Sequence, residues 1–351
     1  MAQVDSQPET FCLSSQIGDI IFSSTEEKGT LTLTLSHGGT THTVMEETLW
    51  TDSNGHVTID SLSSLVEPYL RKYKCMTMDC SYDDGDTAAD IDTVTLLYCT
   101  ADVGMTAQQW VDNHFLTVLA GEKMTAYNRE ERLYAYGAAV VTVEADVMLP
   151  AGDFVTRTVT LNAVSTTDNI SQFNVSPKTI INALQLTGGR LLAYTVTAGN
   201  RSQEFCLQEE QVLPMPSLVF VNSFGCEEFL HCNGTLKREG KFTRSTARIS
   251  ERLRNYKVTE ERKFTANTGW MNEAMADWAE ELLRSYEVYL WQDGQRGKEV
   301  VITESKSETT NEDDYMTAYE VTYTYAQRIH NVVQNRSATR IFSEQFEDIY
   351  A

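Results

Sequence analysis

Residues 30–35 are TLTLTL, so that leucine and threonine alternate without interruption. Strict alternation of apolar and polar residues is typical of a half-buried β-strand, because successive side chains of a strand point to opposite faces. His37, Gly38 and Gly39 then supply turn residues, and a second alternating stretch runs on to Val44. This segment predicts a β-hairpin near the beginning of the chain.

Strand-like composition recurs along most of the chain, while helical patterns are few and short. We therefore predict a mainly β protein with short helices (α+β), built from two β-sandwich or barrel-like domains. Residues 1–216 are predicted to form an acidic β-rich domain with a potential split into two subdomains near 80–92. Residues 217–334 are predicted to form a β domain with one amphipathic helix over 268–285, and residues 335–351 a C-terminal arm. The arm is expected to become ordered only against a neighbour.

Several local signals refine this prediction. Pro214 and Pro216 interrupt any regular element and mark the domain boundary. Thr106 with Gln109 matches a capping box, which predicts a helix start. A helix is also predicted from Asp60 or Ser61, and Pro68 is expected to limit it to a turn or two. The Asp-rich residues 79–92 are expected to form a solvated loop.

The charge of the chain is unevenly distributed. Its formal net charge is −22 over 351 residues, which argues against wrapping of nucleic acid and against adhesion to an anionic membrane. Residues 1–100 contain sixteen acidic residues and only four basic ones, Lys28, Arg71, Lys72 and Lys74. Between Lys237 and Lys263 the balance reverses. One end of the chain therefore complements the other.

Opposite charges of this kind suit contacts between subunits. The predicted interface residues are Arg238, Lys241, Arg244, Arg248, Arg252 and Arg254 on the basic side and Asp83, Asp84 and Asp86 on the acidic side. A solvated face and a nucleic-acid contact are the alternatives for the basic stretch. We expect homo-oligomers and no nucleic-acid partner.

Targeting and redox signals point to a protein made in a cytosol. Residues 1–12 lack a basic region followed by an apolar one, and no eighteen apolar residues run together. We therefore expect neither a secretion signal nor a membrane span. Seven scattered cysteines are an odd number, which is poor material for a disulfide framework, and we expect reduced thiols.

Common reactive motifs are absent: the chain has no phosphate loop, GxGxxG, HExxH or GxSxG. We expect no enzymatic activity, no cofactor and no metal. Cys226, His231 and Cys232 offer too few ligands for zinc and are better explained as buried strand residues. The acidic residues Asp79, Asp83, Asp84 and Asp86 have the wrong spacing for a calcium loop.

Aromatic residues raise one further alternative. Tyr319, Val321, Tyr323 and Tyr325 share one face of a predicted strand. Such a stripe is either the core face of a sheet or a platform on which sugar rings stack. We predict the core face.

The second half of the chain resembles a known family. Residues 219–225, VFVNSFG, followed by 227–229, EEF, and 233–234, NG, are similar to a segment of tail-region proteins from phages and prophages of Bacteroidetes. The helix ending in ELLRS at 281–285 and the strand VVITES at 300–305 follow in the same order. Upstream, HFLT at 114–117 and KMT at 123–125 also resemble these proteins, so that the similarity spans most of residues 90–330.

This resemblance implies a virion structural protein of the tail, of the distal-tail or baseplate type, built from β-domains and arranged as a ring with other tail proteins. It implies a location in the virion tail after synthesis in the cytoplasm of a bacterial host. Two rivals are a carbohydrate-binding module, which would show an exposed coplanar pair of Trp or Tyr rings, and a glycan hydrolase, which needs two convergent carboxylates.

Overall fold

The computed structural model describes residues 1–208, 216–292, 294–306 and 317–327. Strands make up 54% of the residues and helices 13%, which confirms the predicted mainly β fold with short helices. The predicted arm 335–351 lies outside the described residues, and so do Pro214 and residues 209–213 beside the predicted domain boundary.

The first hundred residues form two sheets that pack face to face. Their elements are β1 (Gln3–Ser6), β2 (Phe11–Leu13), a short 3-10 turn (Ser14–Gln16), β3 (Ile20–Ser23), β4 (Lys28–His37), β5 (Thr40–Trp50), β6 (His56–Ile59), α1 (Leu62–Tyr73), β7 (Cys75–Asp83), β8 (Ala88–Asp90) and β9 (Val94–Leu97). One sheet has the order β1-β3-β6, and the other has the order β2-β9-β7-β4-β5 with β8 on β7.

The TLTLTL stretch lies in β4 and forms the predicted hairpin with β5. Its leucines are fully buried and pack with Phe22 of β3, whose ring lies 5.7 Å from that of Tyr82 in β7. One shared core between two sheets is the arrangement of a β-sandwich.

Two predictions in this region are wrong. Residues 79–92 are not a solvated loop or a boundary between subdomains, because β7 and β8 pair there and β7 lies inside the six-stranded sheet. Helix α1 continues through Pro68 to Tyr73. A proline inside a helix costs about 3 kcal/mol, but burial of Leu62, Val66 and Leu70 contributes ~1.5–3 kcal/mol each. Tertiary packing therefore outweighs the local penalty.

Residues 107–207 form a second pair of sheets. Their elements are α2 (Ala107–Asn113), β10 (Lys123–Thr125), β11 (Arg132–Tyr136), β12 (Val140–Met148), β13 (Phe154–Asn162), β14 (Ser165–Thr167), β15 (Ile170–Asn174), α3 (Pro177–Ala183), β16 (Arg190–Ala198) and β17 (Arg201–Leu207). The sheet orders are β10-β17-β16-β12-β13 and β11-β15-β14. The capping box of Thr106 and Gln109 at the start of α2 is confirmed.

The remaining described residues form one large sheet covered by a helix. Their elements are β18 (Ser217–Val221), β19 (Glu227–His231), β20 (Leu236–Ile249), β21 (Arg252–Asn267), α4 (Glu273–Arg284), β22 (Val288–Gln292), β23 (Gln295–Lys306) and β24 (Glu320–Tyr325). The order is β19-β18-β22-β23-β24-β21-β20. Tyr323 and Tyr325 are buried beneath α4 in one cluster with Trp278, which confirms the aromatic stripe as a core face.

Helix α4 was predicted to begin at residue 268, but it begins at Glu273. The side chain of Asn272 caps it by accepting a hydrogen bond of 2.8 Å from the N–H of Met275. Thr268 and Met271 instead donate their backbone N–H groups to the carbonyl oxygens of Tyr319 and Thr317. Backbone groups committed to a neighbouring strand segment cannot enter a helix, which explains the later start.

A separate apolar cluster joins the three groups of sheets. Leu13 and Leu97 from the first group meet Val111 and Ile170 from the second and Phe224 from the third. All seven cysteines are free, and six of them are buried.

Candidate functional site

Strands β20 and β21 form a long hairpin that extends past the rest of their sheet. They pair from Leu236 opposite Ala266 at the base to Ile249 opposite Arg252 at the tip, and only residues 264–267 also pair with β24. At ~3.4 Å per residue, the two-stranded part beyond the base is roughly 35 Å long. We call residues 239–263 the β-arm. No side chain described in it is buried.

A tight turn closes the tip of the β-arm. Ser250 and Glu251 have φ values of 48° and 63°. Positive φ at both central residues is the geometry of a type I′ turn, whose twist matches that of the flanking strands. Neither residue is a glycine or asparagine, so that the tip holds some backbone strain.

The β-arm carries most of the predicted basic residues, but on two faces. Because ladder partners and alternate residues share a face, the register places Arg238, Arg244 and Arg248 on one face. Lys241, Arg252 and Arg254 lie on the opposite face. The structure therefore shows a ribbon that is positive on both sides, where the sequence analysis predicted one basic surface.

The outer cations of the β-arm have no acidic partner among the described residues. No carboxylate lies within 4 Å of the following side chains in the described part of the chain: Lys241, Arg244, Arg248, Arg252, Arg254 and Lys257. At the base, by contrast, Lys263 contacts Glu304 at 2.9 Å and Arg262 pairs with Glu260. The unpaired charge is thus concentrated toward the tip.

Apolar side chains are exposed between these cations. Phe242, Leu253, Tyr256 and Val258 are between 47% and 71% exposed. Aromatic residues and arginine are the types enriched in protein interfaces and in their energetic hot spots. This mixture favours an interface over a purely solvated face.

The predicted acidic residues lie at the turn between β7 and β8, and one of them is unavailable. Asp84 is buried and accepts hydrogen bonds from the Ser24 hydroxyl at 2.8 Å and from the backbone N–H of Thr87 at 2.7 Å. These hydrogen bonds hold its pKa well below the ordinary value. Asp84 therefore stabilises the turn and is not an interface residue, whereas Asp83 and Asp86 are exposed.

The two sets of predicted interface residues do not meet within one molecule. Among the described residues β20 pairs only with β21, and no ion pair joins the β-arm to Asp83 or Asp86. Nearly all other acidic residues of the first hundred are also exposed, including Glu46 and Glu47 on the edge strand β5. Within the described part of the chain, neither surface contacts the other.

A group of buried charges was missed by the sequence analysis. Lys123 donates to Glu131 at 2.7 Å, and His231 contacts the same carboxylate at 3.1 Å. The second ring nitrogen of His231 lies 2.9 Å from the Ser217 hydroxyl. We call Lys123, Glu131 and His231 the buried junction. His231 lies 100 residues from Glu131 in the sequence and belongs to another sheet than Lys123, so no local pattern could reveal the junction.

Electrostatics explain the protonation of the buried junction. Burial alone would raise the pKa of Glu131, but Lys123 and His231 outweigh burial and lower it. Burial lowers the pKa of His231 and keeps the ring neutral. The two ring nitrogens of His231 lie within hydrogen-bond distance of Glu131 and Ser217. Burial raises the pKa of the Cys226 and Cys232 thiols to about 12. All three residues are buried, as predicted.

A cleft of about 1210 Å³ lies where the three groups of sheets meet. Arg71 and Lys74, at the end of α1, line one wall, and Arg132 and Arg296 line another. The Arg71 guanidinium lies 4.0 Å from the ring centre of Tyr286. Within the described ranges, no group of three or more His, Cys, Asp or Glu side chains is arranged to hold a metal ion.

Aromatic geometry does not favour the carbohydrate-binding alternative. Trp50, Tyr127, Tyr256, Trp270 and Tyr286 are exposed. None of the ring pairs found in the described residues joins two exposed Trp or Tyr rings.

The fold and the β-arm define a mainly β protein with an exposed basic hairpin. No protein-family model matches the chain, and no curated protein is significantly similar to it. None of the described helices is long and apolar enough to cross a membrane.

Proposed function

We propose that the chain is a non-enzymatic structural subunit of a bacteriophage tail tip, of the distal-tail or baseplate type, and that it assembles into a ring with copies of itself. The observation that carries this proposal is the β-arm, a ribbon whose cations on both faces have no acidic partner among the described residues, in a protein of net charge −22. The similarity of the segments around VFVNSFG to phage tail proteins supports the assignment to a tail.

In this assembly the β-arm of one subunit lies against the acidic first hundred residues of the next. A contact between two different surfaces of the same chain is heterologous, and such contacts generate rings when the rotation closes. Because the β-arm has cations on both faces, it can form the most ion pairs when acidic surface lies on both sides of it. Exposed Phe242, Leu253 and Tyr256 supply the apolar area that charge alone does not provide.

Analytical ultracentrifugation of the full chain at low and high salt tests the proposal. We expect multimers at low salt that dissociate as salt rises, because exposed charge pairs are screened. The double variant Arg244→Glu with Arg254→Glu, which reverses one cation on each face, should weaken association by roughly tenfold or more.

The matched control is Arg157→Glu with Lys178→Glu, two exposed cations outside the β-arm with the same change in charge. Equal weakening by both double variants would show a general effect of net charge and would contradict the arm contact. A strictly monomeric protein at high concentration that binds a glycan array tightly would instead favour a carbohydrate-binding module.

A further inference from the structure

The α1 wall of the central cleft is a local group of cations in a chain of net charge −22. Three of the four basic residues among the first hundred, Arg71, Lys72 and Lys74, line it. Lys74 is half-buried and has neither a hydrogen-bond partner for its side chain nor an acidic partner among the described residues. Its backbone has φ 62°, a conformation that costs free energy for any residue with a side chain.

Three of the five acidic residues that line the cleft have partners. Glu227 is paired with both Arg132 and Arg296. Asp168 contacts His37 at 2.9 Å, and buried Glu281 accepts a hydrogen bond of 2.7 Å from the backbone N–H of Ser223. Asp102 and Glu287 also line the cleft, but in the described residues no carboxylate lies within 4 Å of Arg71, Lys72 or Lys74, which favours a negatively charged occupant at the α1 wall.

The path of the chain brings such an occupant close. Strand β24 runs antiparallel to β23, and the Gln327 side chain accepts a hydrogen bond of 3.0 Å from Lys298. Arg296, two residues before Lys298 in β23, lines the cleft. Residues 328–340 span at most about 45 Å when extended, so residues beyond 340 can reach the cleft of their own chain.

The sequence beyond residue 340 has the matching chemistry. Residues 341–351 are IFSEQFEDIYA, with three acidic residues, three aromatic residues and no cation. Carboxylates suit the α1 cations, and aromatic rings suit the Tyr286 and Arg71 wall. We infer that the cleft binds residues 341–351 of the same chain, with Lys74 and Arg71 contacting its carboxylates. Tethering raises the local concentration of this segment far above that of any free competitor.

Photocrosslinking in the full chain tests this inference. With p-benzoylphenylalanine in place of Phe346, mass spectrometry should find crosslinks to peptides that contain residues 71–74 or 284–296. The same photoreactive residue in place of Phe154, exposed on a distant strand, should not crosslink there. Mixing of isotope-labelled and unlabelled protein shows whether each crosslink joins residues of one copy.

Charge reversal sharpens the test. Lys74→Glu and, as an exposed second variant that is less demanding on folding, Arg71→Glu should each lower the crosslink yield by roughly fivefold. Lys28, the fourth basic residue of the first hundred, lies over the Trp50 ring, so Lys28→Glu should leave the crosslink yield unchanged. Crosslinks only between copies, or only outside the cleft, would overturn the inference. Saturable, Lys74-dependent binding of glucuronic-acid oligomers would also overturn the inference if the photoreactive residue at position 346 formed no crosslink to the cleft.

Discussion

The buried junction and the β-arm use the same types of charged residue in opposite ways. In the junction Lys123 and His231 share the carboxylate of Glu131, and all three side chains are almost completely buried. In the β-arm Arg244 and Arg254 are exposed and have no acidic partner in the described residues. A buried charge without a partner is costly, whereas an exposed one is tolerated.

This difference separates residues that hold the fold from residues that are available to a partner. The junction connects β10 of the second group of sheets to β19 of the third, and its charges are satisfied internally. The β-arm contributes little to the core, because in the described residues β20 pairs only with β21 and no described side chain of the β-arm is buried. Substitutions in the junction should therefore change stability, and substitutions in the β-arm should change association.

Glu131→Ala should show the largest effect. It leaves Lys123 buried without its counter-charge, and removal of one partner of a buried ion pair costs about 3–5 kcal/mol of the free energy of unfolding. Chemical denaturation measures the change. The control is Glu261→Ala on the exposed β-arm, which should stay within ~0.5 kcal/mol of the parent. Equal losses in the two variants would contradict the distinction between the regions.

Acidification should weaken the junction through His231. Because burial lowers its pKa in the folded protein, the unfolded chain takes up a proton near the ordinary value of 6.5 while the folded protein does not. The unfolded state then binds more protons, so the free energy of unfolding falls as pH drops below 6.5 toward the folded pKa. Denaturation between pH 8 and 5 measures this slope.

His231→Gln should flatten that slope, because glutamine has no titration in this range. Burial also lowers the pKa of His114, so part of the slope should persist and should decrease further when His114→Gln is added. An unchanged slope in the His231→Gln variant would show that the histidine is not kept neutral by burial.

Loss of apolar area on the β-arm should affect association alone. Tyr256→Ala with Leu253→Ala removes two side chains that are 67% and 71% exposed, so the stability of the subunit should hardly change. Truncation of interface hot spots costs more than about 1 kcal/mol, which weakens association by roughly fivefold or more. Phe154→Ala, 74% exposed on β13, is the control in sedimentation experiments. An equal effect of the control would place the interface elsewhere.

Local periodicity predicted a good part of the fold. The alternation in residues 30–35 and the aromatic stripe from Tyr319 each identified a strand and its buried face, because only that alternation places every apolar side chain on one side. The capping box at Thr106 fixed a helix start. The predictions from Pro68 and from the Asp-rich residues 79–92 were wrong. Burial of α1 and pairing of β7 with β8 depend on tertiary contacts, which local composition does not reveal.

The candidate site was predicted in part for the same reason. Composition located the basic stretch, but its division into two faces follows from the register of β20 and β21. Asp84 shows the reverse error, since a carboxylate in an acidic run was expected to be solvated and is instead buried by Ser24 and Thr87. The cleft and the buried junction depend on contacts between distant residues and had no local signal.

The smallest effect concerns the tip of the β-arm. Ser250→Asn with Glu251→Gly supplies residues that tolerate positive φ, which relieves backbone strain of about 1 kcal/mol. Amide hydrogen exchange in residues 244–258 should slow, while exchange in the core and the buried junction stays unchanged, because the arm is not part of either core. Ser250→Ala retains the strain and is the control. If exchange slowed equally in the core, the β-arm would be coupled to the global stability of the protein, and the separation between the two regions would fail.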